Sequence, residues 1–381
     1  MRIALLGTRG IPANYGGFET FAEELPARLV KRGHQVTVYC RSHYAMEGLS
    51  EFRGAQLVVL PTIRTKHLDT PVHSALSCLH LWTQGADAAI FCNGANAVFT
   101  YWPRLLGIPT VLNVDGLERK RKKWGKAARA WYRFSERLAT LCPDAVVTDA
   151  RVIQQYYSER HGLDTQFIAY GASRGTTASM AKVAELGLQE QGYFLYVSRF
   201  EPENNALLVV KEFEQSTTDC KLVMVGDAPY SASYIERVKS TQDTRILFPG
   251  AVYGTGYREL QSHCLGYVHA TEVGGTHPAL VEAMARGCPV LYLDTPENRE
   301  VAGGPGLPFT SGRGSLCARI EELAAADSQS LQDLRDAGVR EAKIRYDWET
   351  VADAYERILE DIARIPARTR RPRTVVIPTG R

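Results

Sequence analysis

An arginine closes the apolar run in Tyr196-Val197-Ser198-Arg199-Phe200-Glu201-Pro202-Glu203-Asn204-Asn205, where a buried strand would give way to a helix. A guanidinium there offers a planar, permanently charged fork that suits phosphate oxygens, although the same residue would also serve a surface ion pair. A second string runs Glu272-Val273-Gly274-Gly275-Thr276-His277-Pro278-Ala279-Leu280-Val281-Glu282. Thr276 is placed to cap a helix that Pro278 opens, which leaves amides at its mouth for a phosphate or a sugar hydroxyl. Glu282, one turn further in, can accept paired hydrogen bonds from ribose hydroxyls. The first loop, Gly7 to Glu19, contains the pair Gly16-Gly17 and lies between a strand and a helix, where glycines let backbone approach an anion. It is either a ligand loop or an ordinary glycine turn, and it lacks the GxGxxG spacing of a dinucleotide site. Asp115, in Asn113-Val114-Asp115-Gly116, ends another apolar run. Its carboxylate could hydrogen-bond a sugar hydroxyl or stabilise positive charge at an anomeric carbon, or simply form an Asp-Gly turn.

A basic run, Arg119-Lys120-Arg121-Lys122-Lys123, precedes a helical segment carrying Lys126, Arg129 and Arg133 among Trp124, Trp131 and Tyr132. Base and aromatic together suit an anionic membrane surface or a lipid diphosphate; the alternative is a solvated helix face. No nucleic-acid-binding module accompanies the run, and a formal charge of +3 is too mild to imply one. There is no Asp-x-Asp to hold a divalent cation on a diphosphate and no HExxH or Cys/His ligand cluster, so chemistry without a metal or other cofactor is expected.

These groups need a scaffold. Short apolar runs at Ile3–Leu6, Val36–Tyr39, Leu57–Leu60, Ala88–Phe91, Thr110–Val114 and Ala145–Thr148 predict buried parallel strands separated by helices. A second series begins at Phe194–Ser198 and continues through Lys221–Val225, Arg245–Phe248, Leu265–His269 and Pro289–Leu293. At 381 residues the chain exceeds one core, and the α/β alternation restarts once, so two Rossmann-like domains are expected: 1–170 and 171–347. The Gly/Ala/Ser/Thr-rich stretch near 170–190 reads as a linker, and an amphipathic helix over 348–365 is placed to cross back. Residues 366–381, rich in arginine and proline, read as a flexible tail. Eight scattered cysteines without CxxC pairs, no signal-peptide pattern and no long apolar span predict a cytosolic protein, with contact at the inner face of the plasma membrane as an option.

The first loop, followed by Leu29-Val30-Lys31-Arg32-Gly33-His34-Gln35-Val36-Thr37-Val38, resembles the opening of retaining GT-B glycosyltransferases of family 4, and its Gly-Thr-Arg-Gly-Ile-Pro-Ala-Asn-Tyr-Gly-Gly-Phe-Glu-Thr string resembles the bacterial polysaccharide rhamnosyltransferases. The resemblance implies a nucleotide-sugar donor gripped in a cleft between two domains, and transfer with retention to a saccharide acceptor that is lipid-linked in some members. It places Gly16 and Gly17 near donor phosphates or acceptor, Arg199 on the diphosphate, Glu282 on ribose, Val252 at the base, and Gly275, Thr276 and His277 at the phosphate or sugar. The family's second cation, five residues after the arginine, is here Asn204. Its first glutamate, eight residues before Glu282, is here Gly274. Either the glycine pair bulges so that Glu272 reaches the sugar, or the amides of Gly275 and Thr276 replace it. Asp115 stands where the family commonly has histidine. The leading donor is dTDP-L-rhamnose; the competing readings are a nucleotide-sugar 2-epimerase and a non-catalytic nucleotide-sugar-binding protein.

Overall fold

The computed structural model describes residues 1–13, 16–65, 67–122, 124–173, 175–227 and 232–365. The tail 366–381, Lys123 and the loop residues Asn14 and Tyr15 lie outside them. Two compact units form: one from 1–120, 124–170 and the C-terminal segment from Trp348, the other from 171–347 joined by Arg121–Lys123.

In the N-terminal unit the apolar runs become β1 (Arg2–Leu6), β2 (Gln35–Arg41), β4 (Ala55–Leu60), β5 (Ala88–Cys92), β6 (Thr110–Val114) and β7 (Ala145–Thr148); the short β3 (Glu51–Phe52) and β8 (Gln166–Phe167) complete the sheet. The order is β3-β4-β2-β1-β5-β6-β7-β8, parallel except for the β3–β4 pair. The chain steps from β1 outward to β2 and β4, then returns to lay β5 on the other side of β1, with Leu5 opposite Ile90. Loops leaving β1 and β5 therefore diverge at the switch point where α/β sheets bind ligands. They also meet: Gly7 has φ +91°, and a Cβ there would stand 2.4 Å from the Cys92 carbonyl oxygen and 2.7 Å from Asn96 Nδ2. Only glycine fits this approach.

The helix Trp348–Arg364 belongs to this unit. Its apolar face brings Trp348, Tyr355, Ile358 and Leu359 into a core with Ile3, Leu5, Phe21, Leu25, Val38 and Ile90. Burial along a 3.6-residue stripe is what selects a helix here. Polar contacts fix its register: Asn113 Nδ2 donates to the Tyr355 hydroxyl at 2.7 Å, and Arg32 faces Glu349, Asp353 and Glu356 at 2.6–3.0 Å.

The second unit contains β9 (Tyr193–Val197), β10 (Lys221–Val225), β11 (Ile246–Gly250), β12 (Gly266–His269), β13 (Val290–Leu293) and β14 (Leu307–Phe309), all parallel in the order β11-β10-β9-β12-β13-β14. Its switch point lies between β9 and β12, where Leu195 is opposite Tyr267. The stretch read as a linker is in part docked on this unit. It contains the helix Ala181–Glu185, and the buried Glu259 accepts from Ser179 Oγ and Lys182 N, each at 2.6 Å.

Candidate functional site

The loops that leave β9 and β12 carry most of the expected groups of the second unit, and they are stitched to one another. Asn205, at φ +57°, donates from Nδ2 to the Ala270 carbonyl at 2.9 Å and to Glu272 Oε1 at 3.0 Å, while Glu272 N donates to the Glu203 carbonyl at 2.9 Å. Asparagine tolerates left-handed backbone, so it can close the first loop and still aim its amide at the second. Arg199 emerges from this frame with its side chain 31% exposed and Nη2 4.0 Å from Glu201 Oε2. Asn204 is buried; its amide donates to the Arg199 carbonyl at 2.7 Å, and the Tyr196 hydroxyl donates to the Asn204 carbonyl at 2.7 Å. In this arrangement Asn204 sets the backbone that presents Arg199.

The β12 loop leads into the helix Pro278–Ala285. Thr276 was expected to cap it. The N-cap is instead His277, at φ −86° and ψ 115° with no side-chain cap, because Leu280 N already bonds the His277 carbonyl at 3.0 Å and the first turn starts one residue later. Thr276 is buried behind it. The His277 side chain therefore leaves the amides at the helix mouth uncapped. The His277 ring lies over Gly274, where a Cβ would sit 2.2 Å from its Cε1, and against the His269 ring at 4.7 Å between centroids. Burial, His269 and the nearby Arg121 and Arg199 cations hold the His277 pKa well below the usual histidine range, so the ring is neutral at pH 7. Its Nε2 is enclosed and has no hydrogen-bond partner among the described residues.

Glu282 lies in the first turns of this helix. Its Oε2 accepts from the Tyr257 hydroxyl at 2.8 Å and is 3.9 Å from Arg286 Nη1, so the carboxylate is anchored from beneath, by the helix Gly254–His263 that Val252 precedes. Burial first, then Glu282, raises the Tyr257 pKa, which keeps that phenol a donor. Glu272 is held by Asn205 and by Lys122 Nζ at 3.0 Å. Sequence reasoning missed Asn205, Tyr257 and Glu203. Glu203 is fully buried with neither carboxylate oxygen hydrogen-bonded among the described residues. The Asn205 signal was its type, one residue before a helix; Tyr257 had none, since its partner is 25 positions away.

In the N-terminal unit, Gly16 is the N-cap of the helix Gly17–Lys31. That helix holds two residues of the loop before it: Glu19 Oε1 accepts from Arg9 N at 3.1 Å and Glu23 Oε2 from Ala13 N at 2.8 Å. Asp115, at the end of β6, accepts from Gly116 N at 2.8 Å, the turn-forming contact. It also lines a pocket with Gly94, Glu118, Tyr132, Glu136 and Tyr157. Of the basic run, Arg119 pairs with Glu136 at 2.9 Å, Arg121 is buried and Lys122 pairs with Glu272.

Two sheets of parallel strands, with the candidate groups of the second unit on loops at its switch point, define a GT-B α/β protein. Residues 191–333 match the family described as glycosyl transferases group 1, and residues 1–173 match a family described only as a domain of unknown function, DUF1972. The chain is 24% identical over 346 residues to a GDP-mannose-dependent alpha-mannosyltransferase of Mycobacterium tuberculosis, covering 85% of each. Its fold is similar to sucrose-phosphate synthase of Thermosynechococcus elongatus, with TM-score 0.78, 17% identity and coverage of 95% and 98% of the two chains. It is also similar to Anabaena HepE solved with UDP and glucose, with TM-score 0.76, 17% identity and coverage of 95% and 100%.

Proposed function

We propose that the protein transfers a hexosyl unit from a nucleotide sugar to a saccharide acceptor, lipid-linked in the cell, with retention and without a metal ion, in the synthesis of a surface polysaccharide. The observation that carries this reading is the convergence, inside the segment that matches glycosyl transferases group 1, of a part-exposed Arg199 at a strand exit, a helix mouth that His277 does not cap and an anchored Glu282. A diphosphate matches the first two, because a fixed cation and preorganised amides stabilise charge that grows as the leaving group departs. Glu282, fixed by Tyr257, is suited to the vicinal hydroxyls of ribose, and Asp115 to a donor-sugar hydroxyl.

In this reading the bond from the anomeric carbon to the phosphate oxygen breaks, and the acceptor oxygen bonds that carbon on the same face. The acceptor's hydroxyl proton passes to the departing phosphate. The relatives named above use or bind GDP-mannose, UDP and glucose; dTDP-L-rhamnose remains our leading donor on the strength of the first-loop string alone. The test is a panel of nucleotide sugars with saccharide acceptors, with EDTA, read by product mass and anomeric configuration. Donor consumed into an epimer without acceptor, or turnover abolished by EDTA, would refute the proposal. Arg199→Ala should weaken nucleoside diphosphate about 10- to 100-fold, as expected for one charge-assisted contact, and leave nucleoside affinity unchanged. Equal losses would remove the phosphate role.

A further inference from the structure

Of the run 119–122, Arg119 pairs with Glu136, Arg121 is buried, and the exposed Lys122 pairs with Glu272. The helical segment that follows the run lies on a surface that carries many of the exposed apolar side chains of the N-terminal unit. The helices Asp69–Gln84 and Lys126–Leu138 both pack on the segment 94–105 between them. Trp82, Trp102, Leu105, Trp131 and Phe134 stand on these segments, and Leu141 just beyond the last of them, with 39–67% of their surface exposed. Three of the chain's five tryptophans are among them. The helix Lys126–Leu138 is inverted for a globular protein: its buried residues are Ser135 and Glu136, while Trp131 and Phe134 face solvent and touch at 6.0 Å.

Charge decides between occupants. Over 69–84, 94–105 and 126–141 the only carboxylates are Asp69 and Glu136. Asp69 pairs with Arg41, and the buried Glu136 pairs with Arg119. The exposed bases Lys126, Arg133 and Arg137 pair with no carboxylate among the described residues. A self-associating face or a solvated helix would carry mixed charge. An apolar ridge with aromatic side chains and unopposed bases fits the headgroup boundary of an anionic bilayer, where aromatic and aliphatic groups enter and cations meet lipid phosphates.

We propose that this face docks the protein on anionic membrane lipid through Trp82, Trp131 and Phe134, with Lys126, Arg133 and Arg137 as its electrostatic contacts. The site is independent of the donor reading, since none of these residues was assigned to the donor. The experiment is co-sedimentation of the full chain with phosphatidylcholine vesicles containing 0 or about 30% phosphatidylglycerol, at low and high salt. Wild type should pellet only with the anionic vesicles, and salt should weaken it. The K126S/R133S/R137S variant should bind about a hundredfold more weakly, and W82S/W131S/F134S should lose binding while keeping the wild-type melting temperature. Absence of wild-type binding, or unchanged binding by both variants, overturns the proposal. So does light scattering that shows a dimer dissolved by W131S/F134S with vesicle binding intact.

Discussion

Replacing Gly274 by alanine puts a methyl carbon 2.2 Å from His277 Cε1, 2.6 Å from Nε2 and 3.1 Å from Nδ1. Carbon atoms in contact stand about 3.5–4.0 Å apart, so the ring must retreat by roughly 1.3 Å or more. It has little room: Nε2 is already enclosed, and the other neighbour is the buried His269 ring. Overpacking of this kind costs about 1–3 kcal/mol, which for a unit of this size lowers the melting temperature by about 2–10 °C. The assay is thermal unfolding of wild type, Gly274→Ala, His277→Ala and the double variant. With the ring removed, alanine at 274 should cost nothing, and its lower unfolded-state entropy should add a few tenths of a kcal/mol. The two substitutions should therefore be strongly coupled. If Gly274→Ala destabilises equally with and without the imidazole, the argument that His277 occupies the space over Gly274 is wrong.

Two further outcomes are expected. Tyr355→Phe leaves Asn113 Nδ2 without its partner inside the N-terminal core and should cost about 1–3 kcal/mol in urea unfolding; a neutral result would mean the contact does not dock the C-terminal helix. Burial pushes the His269 pKa down to about 3, against the opposing hydrogen bond to Asn298. An unfolded histidine titrates near ~6.5, so below that pH the unfolded state takes a proton that the native state refuses. Stability should therefore fall as the pH drops from about 6.5 towards 3, by up to ~1.4 kcal/mol per pH unit from this residue. His269→Gln should flatten the fall between pH 7 and 5, and an unchanged slope would contradict the assignment.

Much of the fold was legible because parallel strands buried on both faces must be continuous apolar runs. Thr110–Val114, Ala145–Thr148 and Lys221–Val225 were read to the residue. The strands that were missed, β3, β8 and β14, are two or three residues long, too short for any periodicity to register. The internal partners of the basic run 119–122 were not legible for a related reason. Composition shows that lysines and arginines are present, but not that Arg119 meets Glu136 or that Lys122 meets Glu272, contacts made by residues far apart in the chain.

The amino-acid order fixes local matters: which segments are strands, that Arg199 and Asp115 stand at strand exits, and that Pro278 opens a helix. These follow from backbone sterics and from burial patterns within a dozen residues. Strand order is not local. The tertiary structure alone put β5 beside β1 and β12 beside β9, which sets the Arg199 loop against the Glu272–His277 loop, anchors Glu282 on Tyr257, and lays the imidazole of His277 where residue 274 can carry no side chain. The contacts of Asn205 with Glu272 and of Tyr257 with Glu282 each close a long stretch of chain, and only the packing of a whole sheet with its helices offsets that loss of entropy.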